Sequence, residues 1–83
     1  MSVKTIFRQI LYWMDDTYRK VVAKNVRKFR QKLGLTQEGL AEKADLHWTY
    51  ISGVERSKYN ISLDSLVRLA KALDRLPHEL LKN

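Results

Sequence analysis

The segment QEGLAEKADLHWTYISGVER, residues 37–56, constrains the fold of this chain more than any other stretch. Its apolar residues form two short stripes at helical spacing: Leu40, Ala41 and Ala44, then Leu46, Ile51 and Val54. Between the stripes lies Asp45, at a sharp turn that calls for left-handed backbone. Glycine normally fills such a turn, and aspartate tolerates it better than most residues. The small Ala41 lets two helices crossing at roughly 90–120° approach closely. Two short helices joined by a tight turn are therefore expected here, with longer helices on either side.

The flanking pattern agrees. Residues 2–14 carry Val3, Ile6, Phe7, Ile10 and Met14 on one side, with Leu11 and Trp13 on its edges. Asp15, Asp16 and Thr17 interrupt that period, and any of the three can cap the next helix. From 17 to 33 the apolar positions are Tyr18, Val22, Val26, Phe29 and Leu33, and Gly34 is the type of residue that ends a helix. Thr36 can cap the first short helix, which runs to about Ala44, and the second runs from about 47 to 56. A loop at 57–61 leads to Ser62 as the cap of a helix with the stripe Leu63, Leu66, Val67, Ala70 and Leu73. Pro77 suits the first turn of a final short helix ending at Leu80 and Leu81. No stretch alternates with a period of two long enough to make a strand, and three glycines and one proline leave little for sheet turns. The fold class is all-α.

Composition narrows the function. At 83 residues the chain supports one small domain, and its 45% apolar content suffices for a packed core. There is no cysteine, hence no disulfide framework, thiolate metal site or cysteine nucleophile. His47 and His78 are the only histidines and lie far apart in sequence, which disfavours a zinc site or a Ser-His-Asp device. The expectation is therefore no catalytic residue, no metal, no cofactor and no small-molecule ligand. No apolar run reaches the roughly 18–20 residues that span a bilayer. Arg8 and Gln9 break what would be the apolar core of a signal peptide. A membrane role is not expected, and the cytoplasm is the expected compartment.

The formal net charge of +7 points to an anionic partner, yet it is unevenly placed. Between 19 and 32 there are seven basic residues and no acid. Residues 36–56, by contrast, set Lys43 and Arg56 against Glu38, Glu42, Asp45 and Glu55. Attraction to a polyanion must come mainly from the helix at 17–33 and from Lys58.

Residues 37–56 make a helix-turn-helix pattern, and from Val26 to Leu81 the chain resembles the lambda-repressor-like, Cro-type (XRE) helix-turn-helix domain of prokaryotic transcriptional regulators. The matching runs are VRKFRQKLGLTQ, LAEKA, YISGVER and SLDSLVRLAKAL, in that order. LHWTYISGVER and YNISLDSL are most similar to the controller proteins of restriction–modification systems. The resemblance implies a five-helix domain, placed at 17–83; residues 1–16 lie outside the resemblance and are expected, from the period at 2–14, to add an N-terminal helix. It also implies a double-stranded DNA partner, a cytoplasmic, nucleoid-associated protein when bound, and a homodimer on a near-palindromic operator.

In such a fold the second motif helix enters the major groove. With Ile51 and Val54 buried, the outward residues are Trp48, Thr49, Ser52, Gly53 and Arg56. Thr49 offers a methyl and a hydroxyl, and Ser52 and Gly53 permit close approach. Trp48 can pack on a thymine methyl or the sugar backbone, or against the loop at Tyr59. It cannot imitate the two-point arginine–guanine pair. Tyr50 is either a phosphate contact or packing. The resemblance places Gln37 on phosphate at the start of the first motif helix, and Lys58, Tyr59 and Asn60 in a loop that touches DNA. Arg27, helped by Lys24 or Lys28, is the candidate phosphate clamp. It also implies that Arg30 and Glu55 tie two helices together and do not read DNA, and His47 is expected to start a helix. Apolar residues around Leu76, Leu80 and Leu81 are the expected dimer face. The alternative reading is an antitoxin-like or protein-interaction module that binds a partner protein.

Overall fold

The computed structural model describes residues 2–6 and 16–83. Residues 3–6 form a helical turn with exposed side chains, and the expected helix over 2–14 otherwise lies outside the described residues. Four α-helices come next: α1 (Thr17–Lys32), α2 (Gln37–Ala44), α3 (Trp48–Glu55) and α4 (Leu63–Ala72). A 3₁₀ helix over Pro77–Leu81 closes the chain, and no strand occurs among the described residues. No described helix is long and apolar enough to cross a membrane.

Local chemistry sets the boundaries. Gly34, at φ +68°, takes the left-handed conformation that ends α1. The Thr36 hydroxyl accepts from the Gly39 N–H at 2.9 Å and caps α2. Asp45 adopts φ 55° and ψ 48°, the left-handed turn that separates the two motif helices. The Ser62 hydroxyl caps α4 by accepting from the Ser65 N–H at 3.1 Å, and Pro77 stands in the first turn of the 3₁₀ helix.

Helices of eight residues, such as α2 and α3, are too short to persist alone in water. Packing holds them. Val22, Val26 and Phe29 of α1, Leu40, Ala41 and Ala44 of α2, and Ile51 and Val54 of α3 join Leu66, Leu69, Ala70, Ala72 and Leu73 of α4 in one core. Leu80, fully buried, plugs its end.

Three expectations need correction. Leu63 is 73% exposed, because it lies in the first turn of α4, before the helix enters the core. The buried arc runs instead through Leu66, Leu69, Ala70 and Leu73, with Val67 only half-buried. Tyr18 and Leu33 are likewise exposed, at opposite ends of α1. Leu80 belongs to the core and not to an outward dimer face; Leu76 and Leu81 are the exposed leucines there. The C-terminal segment is fastened by an interaction the sequence pattern does not reveal. The buried Asn25 donates through Nδ2 to the carbonyls of Leu80 and Lys82, at 2.9 and 2.8 Å. Burying a carboxamide is tolerable only with such partners.

Candidate nucleic-acid interface

The second motif helix, α3, begins at His47, which caps it in place of the usual hydroxyl or carboxylate residue. The His47 Nδ1 accepts from the Thr49 N–H at 3.2 Å and lies 2.7 Å from the Thr49 hydroxyl. Its ring stacks on Trp48 with centroids 6.2 Å apart.

The far end of α3 is anchored differently. The Glu55 side chain is fully buried and accepts from three residues on two other helices. Arg30 makes a two-point pair, Nε to Oε2 at 2.7 Å and Nη2 to Oε1 at 3.0 Å. Arg27 reaches Oε1 at 3.4 Å and Gln37 reaches it at 3.3 Å. Arg30 also donates to the Leu35 carbonyl at 2.8 Å, so one guanidinium ties α1 to the α1–α2 turn and to α3. Burial alone would push the Glu55 carboxyl up. The hydrogen bonds from Arg30, Gln37 and Arg27, with the charge of Arg30, outweigh that effect and hold it below its ordinary value. Hydrogen bonding to Glu55 outweighs burial at Arg30 as well, and raises its pKa.

Between these ends, Ile51 and Val54 face the core, while Trp48, Thr49, Ser52 and Arg56 line the opposite side of α3. Trp48, Thr49 and Arg56 are exposed and Ser52 is half-buried. The Arg56 Nε donates to the Ser52 carbonyl at 3.3 Å, folding that side chain along the helix end.

Gly53 does not face open space as its outward position suggests. The Tyr59 ring lies directly against it, so close that any Cβ there would collide with the ring. Tyr59 in turn stacks on Tyr50, centroids 5.4 Å apart and planes 9° from parallel. Tyr50, and not Trp48, for which packing on this loop is the alternative to an outward contact, partners Tyr59, because it lies on the flank of α3 that meets the loop. Tyr50 is thus partly packing, set against the core. Ser57 starts this loop with φ 62°, a left-handed conformation that an L-residue adopts at a cost. The Lys58 N–H then bonds the Gly53 carbonyl at 2.9 Å. Lys58 is exposed, and the Asn60 Oδ1 accepts from the Arg19 Nε at 2.6 Å.

The structure therefore brings Trp48, Thr49, Ser52, Arg56, Lys58, Tyr59 and Asn60 onto α3 and the loop behind it. Arg27, half-exposed, and Gln37 stand beside them through their shared contact with Glu55. The resemblance points Gln37, and the basic run points Arg27, to phosphate alone, and neither reveals that shared contact. Lys20, Lys24, Arg27 and Lys28 border one open groove along α1, against Glu55 and Ser57.

A short helix pinned through one face and one end, with its other face exposed, is the arrangement by which helix-turn-helix domains present a recognition helix to DNA. Comparison with known proteins agrees. The helix-turn-helix family pattern matches residues 26–81. The chain is 48% identical over 56 residues to control protein C.SmaI of Serratia marcescens, covering 68% of this chain and 67% of that one. To control protein C.BamHI of Bacillus amyloliquefaciens it is 42% identical over 69 residues, covering 82% and 85% of the two chains. The crystal structure of the restriction-modification controller protein C.AhdI from Aeromonas hydrophila superposes with a TM-score of 0.72 at 40% identity. That alignment covers 75% of this chain and 94% of the other. The chain belongs to the helix-turn-helix family, of the Cro-like XRE type. It is a DNA-binding transcriptional regulator.

Proposed function

We propose that the protein binds a near-palindromic operator in double-stranded DNA as a homodimer, in the cytoplasm of a prokaryote, and is nucleoid-associated when bound. The observation that carries the reading is α3 itself. Its core face is closed by Ile51, Val54 and the Glu55 pair, and its other face is left to Trp48, Thr49, Ser52 and Arg56. In this reading those four residues enter the major groove. Gln37, Arg27 and Lys58 hold phosphates, and Tyr50, Tyr59 and Asn60 buttress and flank the contact. Residues 17–83 form the binding domain, and residues 1–16 extend it.

Two recognition helices about one turn of DNA apart, roughly 34 Å, require two copies of the chain. Leu76 and Leu81 are exposed at the C-terminal end of the fold and supply apolar surface for such a pairing. Similarity to control proteins of about this length supports an operator-binding role.

Selection from a random duplex library, followed by titration at about 50 and 200 mM salt, tests the reading. The expected winner is palindromic, is preferred over a scrambled duplex by roughly 10³-fold or more, and loses affinity steeply with salt. Equal, weak binding to both duplexes refutes it. Sedimentation equilibrium at tens of micromolar, with and without the selected duplex, tests the dimer; monomer in both cases refutes that part.

A further inference from the structure

Direct readout in the major groove leans on a short list of side chains. Arginine and lysine pair with guanine, asparagine and glutamine with adenine, and aspartate and glutamate with cytosine. None of these occupies position 48, 49, 52 or 53, the outward positions at the start and middle of α3. Gly53 is covered by Tyr59. Arg56 stands at the far end of the helix, its Nε on the Ser52 carbonyl. The one carboxamide in the adjoining loop, Asn60, has its oxygen engaged by Arg19 at 2.6 Å.

Thr49 is also partly spent. The Thr49 N–H can only donate, so the His47 Nδ1 that it meets at 3.2 Å carries the lone pair. The Thr49 hydroxyl lies 2.7 Å from the same atom and is engaged there. That engages the Thr49 hydroxyl within the chain, while the side chain as a whole stays exposed. Beside it, Trp48 is 48% exposed and its indole is stacked on His47. An indole offers an apolar surface and one N–H, which is not the two-donor fork that selects guanine.

The exposed start of α3 is therefore mainly apolar. Thymine is the base that presents a methyl group in the major groove. We infer that Trp48 and Thr49 are specificity-determining residues that read thymine 5-methyl groups, so that each half-site carries thymine opposite the start of α3. The inference rests on the operator-binding reading above and names the base feature that α3 recognises.

Replacing thymine by deoxyuridine removes only that methyl. In the duplex recovered by selection, each thymine is replaced singly and then together with its symmetry mate. The full-length chain should lose about fourfold per methyl, and roughly fifteenfold for a symmetric pair. Thr49→Val, which keeps a methyl, should retain uracil sensitivity, and Thr49→Ser, which removes it, should lose sensitivity at one position. Trp48→Ala should abolish it at a neighbouring position. Both residues are exposed, so these variants should unfold in urea near the native midpoint. Uracil duplexes bound as tightly as thymine duplexes overturn the inference, as does a winner with guanine at the positions where Trp48→Ala and Thr49→Ser act. A duplex strongly preferred but insensitive to uracil overturns this inference alone. If no sequence is preferred, the operator-binding reading fails and takes this one with it.

Discussion

The two ends of α3 are built on opposite principles. At the C-terminal end a buried carboxylate gathers Arg30, Arg27 and Gln37 from α1 and α2, so the helix axis is clamped by charge-assisted hydrogen bonds. At the N-terminal end one imidazole nitrogen caps the helix, and Trp48 and Thr49 stay open to solvent. Rigid positioning and free access are both required of a recognition helix, and this chain separates them along eight residues. The separation also explains how a reading unit that carries more acids than bases can serve on DNA. Glu55, one of its four acids, is withdrawn from the surface and neutralised, and in the proposed reading the α1 cations supply the attraction.

The contrast breaks most directly at the clamped end. Glu55→Ala leaves Arg30 largely buried without its partner and should cost about 3–5 kcal/mol. For a domain this small that approaches the whole of its stability, so urea denaturation should show a chain close to unfolded without DNA. Acid should act on the same contact. Because the folded state holds the Glu55 carboxyl below its ordinary value of 4.5, its contribution is complete above that pH. The contribution is then lost as pH falls through the lower, folded value. The stability gap between the native chain and Glu55→Gln should therefore be largest near neutral pH and shrink on acidification. A gap independent of pH would mean that the pair does not titrate with folding.

The middle of the helix offers a sharper test. Gly53→Ala gains about 1 kcal/mol of helix propensity but displaces the Tyr59 ring, at a cost of about 1–3 kcal/mol. Alone, the substitution should be neutral or destabilising; in a Tyr59→Ala background it should stabilise. Simple additivity in that double-mutant cycle would show that the ring does not rest on Gly53.

At the open end, His47→Ala should cost about 1 kcal/mol through loss of the cap, with a matching drop in thermal midpoint. The smallest effect belongs to the loop behind the clamp. Ser57 stands at φ 62°, so Ser57→Gly should stabilise by roughly 0.5–1 kcal/mol, measured as a shift in urea midpoint.

These residues also show how far reading the chain by pattern reaches. Gly34, Thr36, Asp45, His47, Ser62 and Pro77 are all legible in advance, because a cap or a left-handed turn is decided by a residue and its neighbours within three or four positions. The Arg30–Glu55 tie is legible only through resemblance, since 25 residues separate the two. The phase of α4 is not legible. Leu63 and Leu69 are equally apolar, and which of them the core takes depends on how α4 settles against α2 and the 3₁₀ helix.

The candidate site divides the same way. That α3 would carry Trp48, Thr49, Ser52 and Arg56 outward follows from the helical period and the apolar pair Ile51 and Val54. That Gly53 would be roofed by Tyr59, Asn60 held by Arg19, and Arg27 and Gln37 shared with a carboxylate follows from no periodicity.

The order of the helices and their ends were thus written into residue type and spacing, where energies act over one or two turns of chain, whereas which apolar residues the core takes was settled by packing. Which outward groups remain free to meet a base was settled only when distant segments packed together. Hydrogen-bond donors, acceptors and ring faces are consumed by whichever partner the fold brings within about 3–5 Å.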